Sequence, residues 1–217
     1  MTPEQSSDWL QGVFSGIPVI PVLTIQRAGD AEPLAEALAA GGLPVLEVTL
    51  RTGDALESLR RMAVRDNIVV GAGTLLTPKD AESAKAAGAR FGVSPGSTPE
   101  LIAACAALDL PLLPGAATAS ETVALLNQGF RLQKFFPAEP AGGCAALKAL
   151  AGPLPDVRFC PTGGITARSA ATYLALANVT CVGGSWIADT ASVRSGRWSD
   201  IQARAQAAAS LGSAVEQ

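Results

Sequence analysis

The chain has 217 residues, a formal net charge of −3 and no histidine. The missing histidines exclude Ser-His-Asp and Cys-His constellations and His-ligated zinc, leaving proton transfer to Glu, Asp, Lys, Tyr or water. Its weak acidity offers no general attraction to nucleic acid or anionic lipid. Although 48% of residues are hydrophobic, no apolar run approaches the ~20 residues of a membrane span.

The first residues, Met1-Thr-Pro-Glu-Gln-Ser-Ser-Asp-Trp-Leu10, lack the basic region and long apolar core of a secretory signal. Residues 1–15 are expected to form an extra helix, and the protein is expected to be soluble and cytoplasmic. Short apolar runs then recur at Pro18–Ile25, Leu43–Leu50, Ile68–Ala72, Arg90–Ser94, Leu110–Leu113, Arg131–Phe136, Val157–Pro161 and Val179–Val182. Their starts are spaced by roughly 20 to 26 residues, room for one strand and one helix each. The intervening stretches are rich in alanine and carry the helical period, as in Leu34, Ala37 and Leu38, or Leu101, Ala104 and Leu108. Asp30, Thr77, Thr98, Thr118 and Thr166 are placed as N-caps, and Gly29, Gly41, Gly88 and Gly129 as turns or helix ends. Residues 197–211 predict a closing helix.

Eight such units predict an α/β protein with a single (β/α)8 barrel domain over 1–217, its barrel spanning 18–190. An open doubly wound sheet is the alternative. Cys105, Cys144, Cys160 and Cys181 are widely spaced in apolar or small-residue settings, which predicts buried free thiols.

In a barrel, chemistry gathers at the C-terminal ends of the strands. One of the four lysines differs from the rest: Lys79, Lys85 and Lys148 lie in polar or alanine-rich helical stretches, whereas Lys134 ends an apolar run and precedes Phe135 and Phe136. Removing an ammonium from water favours the neutral amine, the form that attacks a carbonyl to give a Schiff base. Snorkelling from a strand end is the alternative. Alternation in the second run sets Val45, Glu47, Thr49 and Arg51 on one face and Leu46, Val48 and Leu50 on the other. The apolar face must meet the helices, so Glu47, Thr49 and Arg51 point inward; a Glu47–Arg51 ion pair would be the purely structural reason for them. Lys134 and Phe136 share a face with Leu132 and line the mouth. Glycine pairs at Pro161-Thr-Gly-Gly164 and Gly183-Gly-Ser185, read as turns after the last two strands, suggest backbone N–H groups for a phosphate.

Six segments in order, Leu46-Glu-Val-Thr-Leu-Arg51, Val70-Gly-Ala-Gly-Thr74, Val93-Ser-Pro-Gly96, Lys134-Phe-Phe-Pro-Ala-Glu139, Arg158-Phe-Cys-Pro-Thr-Gly-Gly164 and Val182-Gly-Gly-Ser-Trp186, give the chain a close resemblance to the class I 2-keto-3-deoxy-6-phosphogluconate aldolases, which also cleave 4-hydroxy-2-oxoglutarate. The resemblance covers nearly the whole chain; Gly115-Ala-Ala-Thr118-Ala119 stands where the family often carries bulkier residues. It implies that Lys134 is the Schiff-base lysine and Glu47 the acid/base. Arg51 and Thr74 would hold the substrate carboxylate, and Gly163, Gly164, Gly184 and Ser185 the phosphate. Thr162 would line the site beside the reacting carbons, Phe136 would pack the pyruvate end, and Pro95 would help to place a water. A homotrimer without metal or other cofactor, serving the Entner–Doudoroff route of carbohydrate metabolism, is also implied. The partners would be small sugar-acid phosphates and pyruvate, with no nucleic acid and no membrane. A galactonate-type aldolase, a non-covalent phosphosugar isomerase or epimerase, and a non-catalytic phosphosugar-binding protein remain the alternatives.

Overall fold

A computed structural model describes residues 1–212. Helix α1 (Pro3–Phe14) starts in a capping box, where the Thr2 hydroxyl accepts from the Gln5 N–H and the Gln5 side chain accepts from the Thr2 N–H. Nine short strands follow: β1 (Val19–Leu23), β2 (Val45–Thr49), β3 (Val69–Gly73), β4 (Phe91–Val93), β5 (Leu112–Leu113), β6 (Gly115–Ala116), β7 (Leu132–Phe135), β8 (Arg158–Pro161) and β9 (Val182–Gly184). Helices α2 (Ala31–Ala40), α3 (Ala55–Ala63), α4 (Pro78–Ala86), α5 (Pro99–Ala107), α6 (Ala119–Asn127), α7 (Gly143–Ala151) and α8 (Ala170–Leu174) alternate with them, and α9 (Thr190–Arg194) and α10 (Trp198–Ala209) end the fold. Thr77, Thr98 and Thr118 cap α4, α5 and α6 through their hydroxyls. Asp30 occupies the N-cap position of α2 but its carboxylate is held by Arg27 instead of the helix N–H groups, and the N-cap of α8 is Ser169, to which Thr166 bonds.

All strand pairs are parallel, in the orders β5-β4-β3-β2-β1-β9 and β6-β7-β8. Only Pro114 separates β5 from β6, so the fifth apolar run, Leu110–Leu113, supplies β5 to one sheet and the two residues after Pro114 pass directly into the other. At the other edge, parallel bridges join Phe159 to Val179 and Thr162 to Gly183. The result is a curled, barrel-like α/β fold of parallel strands. The eighth run needs correction. Its strand is Val182–Gly184 rather than Val179–Val182, because Gly183 and Gly184 pair with Ile20 and Pro21 of β1. They are strand residues, not a turn. A Cβ on Gly183 would collide with the Thr162 hydroxyl, and one on Gly184 with the Trp186 ring.

Burial follows the strand alternation. Leu46, Val48 and Val70 pack outward against Leu34, Leu38 and Leu59 of the helices. A second, inner cluster contains Ile20, Val45, Phe91 and Leu132, plugged by Leu10 and Phe14 of α1. Phe14 meets Phe91 edge-on, with ring centroids 5.6 Å apart. Ser7 Oγ accepts from the Arg131 and Leu132 N–H groups, and Ser6 Oγ from the Leu112 N–H, so α1 also satisfies strand-end donors. The sheet interior is therefore apolar at the α1 end. Cys105, Cys160 and Cys181 are buried free thiols; Cys144 is free and half-buried. Burial pushes the Cys105 thiol up to about 11. Among the described residues, no helix is long and apolar enough to cross a membrane.

Candidate active site

Above the apolar plug, the ends of β2, β3, β7 and β8 surround a cavity of about 350 Å³. Lys134 stands on β7 between Gly115 of β6 and Cys160 of β8, with Leu132 beneath it on the same face. It is only 5% exposed, whereas Lys79, Lys85 and Lys148 are all exposed. Its Nζ donates to Glu47 Oε1 at 3.3 Å and lies 5.3 Å from the centroid of the Phe136 ring. Glu47, 3% exposed, is thus the partner of Lys134 rather than of Arg51. Burying either charge alone would be costly; facing each other, each offsets part of the other's desolvation. Gly73 makes room for the pair, since a Cβ there would collide with the Glu47 carboxylate.

Next along β2, Thr49 is buried and donates to the Leu23 carbonyl at 2.9 Å, while its oxygen also lies 3.1 Å from Thr24 Oγ1. Arg51 donates to the same Thr24 hydroxyl at 3.0 Å, so β1 and β2 together aim its guanidinium at the cavity. The guanidinium itself remains exposed, open to an incoming carboxylate. Thr74, at the end of β3, has φ +64°, a left-handed conformation unusual for a β-branched residue. It lines the cavity with Arg51 and Pro95. Strain of this kind collects where a side chain must be aimed.

The remaining wall is made by Phe136, Thr162, Gly163, Gly164 and Ser185. Gly163 and Gly164 have φ of +103° and +81°, and a Cβ on Gly163 would press on the Phe136 ring and Pro137. Gly184 is not among the lining residues; its neighbour Gly183 is, because strand pairing turns Gly184 toward Trp186. Val22 and Ile165 also line the cavity without having been singled out, as do Thr49, expected to point inward but given no role, and Gly183, named only as part of the second glycine pair. Val22 was within reach of alternation from the inward Ile20, whereas Gly183 was hidden by its reading as a turn. Among the described residues, no three or more His, Cys, Asp or Glu gather as a metal-binding group. The arrangement brings together an amine nucleophile, a carboxylate in contact with it, a guanidinium and a glycine-lined wall. It suits imine chemistry on a small oxo acid.

Residues 11–204 match the sequence profile of the family described as KDPG and KHG aldolase. The chain is 49% identical over 185 residues to the 2-dehydro-3-deoxy-phosphogluconate aldolase of Pseudomonas aeruginosa, covering 85% of this chain and 84% of that one. It is 44% identical to the KHG/KDPG aldolase of Escherichia coli over 192 residues, 88% of this chain and 90% of that one. In structure it resembles KDPG aldolase from Legionella pneumophila, solved with pyruvate captured as a covalent carbinolamine. The TM-score is 0.88 at 47% identity, covering 91% of this chain and 96% of that one.

Proposed function

Because the chain belongs to the KDPG and KHG aldolase family, we propose that it is a class I aldolase reversibly cleaving 2-keto-3-deoxy-6-phosphogluconate to pyruvate and glyceraldehyde 3-phosphate. It would also cleave 4-hydroxy-2-oxoglutarate to pyruvate and glyoxylate. The observation that carries this reading is the buried Lys134 ammonium facing the Glu47 carboxylate at 3.3 Å inside the cavity. The pyruvate carbinolamine of the Legionella relative supports the same chemistry here.

Glu47 first takes a proton from the Lys134 ammonium, freeing the amine lone pair. The amine adds to the C2 ketone, and Glu47 returns that proton to the carbinolamine hydroxyl, which leaves as water to give a protonated imine and a free Glu47 carboxylate. Glu47, directly or through a water near Pro95, removes the C4 hydroxyl proton. The C3–C4 bond breaks, its electron pair flowing into the iminium to give an enamine, and glyceraldehyde 3-phosphate leaves. Glu47 returns a proton to C3, and water hydrolyses the protonated imine to pyruvate and restores the Lys134 ammonium facing the Glu47 carboxylate. Arg51 and Thr74 hold the carboxylate, Phe136 and Thr162 flank the reacting carbons, and Gly163, Gly164 and Ser185 receive the phosphate. In this reading Gly184 serves the phosphate site through the backbone it shares with Gly183.

The bridges at the β8–β9 edge and the single-residue break at Pro114 support a closed (β/α)8 barrel in one domain. The protein would work as a cytoplasmic homotrimer without a metal cofactor. A galactonate-type preference has less support, since a structure called KDPGal is 26% identical to this chain.

Borohydride reduction with pyruvate tests the reading. Wild type should gain one stable pyruvate adduct by intact mass, mapped to Lys134 by peptide sequencing, and Lys134→Ala should neither trap nor cleave. Residual turnover by a folded Lys134→Ala would sink the imine assignment. Absence of a wild-type adduct would favour a non-covalent isomerase or a binding protein.

A further inference from the structure

Tyr173 is the only tyrosine of the chain, and its ring is 1% exposed in the core on α8. A phenylalanine would fill the same volume, so the hydroxyl needs its own reason. That hydroxyl donates to Glu139 Oε1 at 2.7 Å. Glu139 closes the segment that follows Lys134, and its backbone runs alongside the glycine turn. The Ala138 N–H donates to the Thr162 carbonyl at 2.8 Å and the Glu139 N–H to the Gly163 carbonyl at 3.1 Å. The Glu139 stem lies so close to Gly164 that a Cβ there would come within 2.7 Å of Glu139 Cγ. A Cβ on Gly143, at φ +58°, would stand 3.1 Å from the Tyr173 hydroxyl and 3.7 Å from Glu139 Oε2. Gly164 and Gly143 therefore make space around one phenol–carboxylate bond. Burial and the neighbouring carboxylate both push the phenol above its ordinary value, so it remains a donor. Neither residue lines the cavity.

We infer that Tyr173 and Glu139 are positioning residues: their hydrogen bond fixes the Gly163–Gly164 turn in the shape that receives the substrate phosphate, and so sets the preference for phosphorylated over unphosphorylated substrate. The inference rests on the aldolase reading and on the glycine turn as its phosphate site. A free Glu139 carboxylate beside that turn would repel an anion. Bonded to Tyr173, it is held toward α8 and braces the turn from behind.

The test compares cleavage of 2-keto-3-deoxy-6-phosphogluconate with that of 4-hydroxy-2-oxoglutarate, which has no phosphate. Tyr173→Phe should raise KM for the phosphorylated substrate roughly tenfold, the scale of a lost charge-assisted hydrogen bond. KM for the other substrate and both kcat values should stay within about twofold. Inorganic phosphate should weaken in parallel as a competitive inhibitor. Glu139→Ala, an exposed position, should reproduce this pattern if Tyr173→Phe folds poorly. Glu139→Gln, which keeps an acceptor for the phenol, should remain close to wild type. Equal changes for the two substrates, or no change in either variant, would overturn the inference. Pyruvate trapping with borohydride separates the two levels: loss in wild type would refute the aldolase reading. Normal trapping with no substrate-selective effect would refute only the role of Tyr173 and Glu139.

Discussion

Gly73 and Glu47 occupy one space between them: the carboxylate that meets Lys134 lies where a side chain at position 73 would begin. The two residues sit on adjacent strands, with Thr49 rather than Glu47 in register with Gly73. Glu47 thus leans along the strand toward the cavity mouth.

Gly73→Ala should therefore displace the carboxylate without removing any functional group. Turnover should fall by roughly 10²-fold or more, the scale of a misplaced acid/base, while circular dichroism stays that of wild type. Steady-state kinetics check this; near-normal kcat would mean that Glu47 works from another position.

Glu47→Gln keeps the shape of the side chain and loses its proton transfer. Pyruvate should still be trapped on Lys134 by borohydride. Exchange of its methyl protons with deuterated water, followed by NMR, should slow by roughly 10²–10⁴-fold. Exchange at the wild-type rate would assign the base elsewhere.

Phe14→Ala should empty the floor of the sheet. Phe14 is 1% exposed and packs edge-on against Phe91. Loss of a buried phenylalanine costs about 3–5 kcal/mol, which denaturant titration should show as a lower midpoint. Pyruvate trapping at low denaturant should persist, because Lys134 stands above Leu132, whereas Ser7 of α1 bonds β7 at its Arg131–Leu132 end.

Acid should expose the role of Asp189. The Arg204 guanidinium, at 2.6 Å, and then the Ser192 hydroxyl and N–H hold its carboxyl well below the usual carboxylate range. A depressed carboxyl stabilises the fold at every pH above its unfolded value of about 3.9 and loses that contribution only as pH falls through the folded value. Asp189→Asn should therefore lower Tm by a similar amount from pH 8 to pH 5. The gap should close under stronger acid. The pair is substantially exposed, so the effect should stay within about 1 kcal/mol.

Strand alternation made much of the site legible, because a face is a local property: Glu47, Thr49 and Arg51 turn inward as their spacing requires, and so does Lys134. Alternation names faces but not partners across the sheet. Glu47 meets Lys134, 87 positions away, and not the nearer Arg51. The last strand was obscured by chemistry that glycine usually signals elsewhere. Gly183 and Gly184 are there because Thr162 and Trp186 fill their side-chain space, a demand imposed by residues remote or reoriented in the fold. The break between β5 and β6 at Pro114 was equally hidden, since a short apolar run carries no sign that its pairing changes sheets.

The α1 plug fills the inner end of the sheet with Leu10 and Phe14, below the cavity beside Lys134 and Glu47. In the proposed aldolase reaction, pyruvate tethered to Lys134 at the inner end would be unable to depart past an aldehyde still sitting between it and solvent. Glyceraldehyde 3-phosphate would therefore leave first and, in the synthetic direction, arrive second. The seal made by Phe14 and Leu10 would then impose a queue on the products, an order that comes from the architecture rather than from any catalytic group.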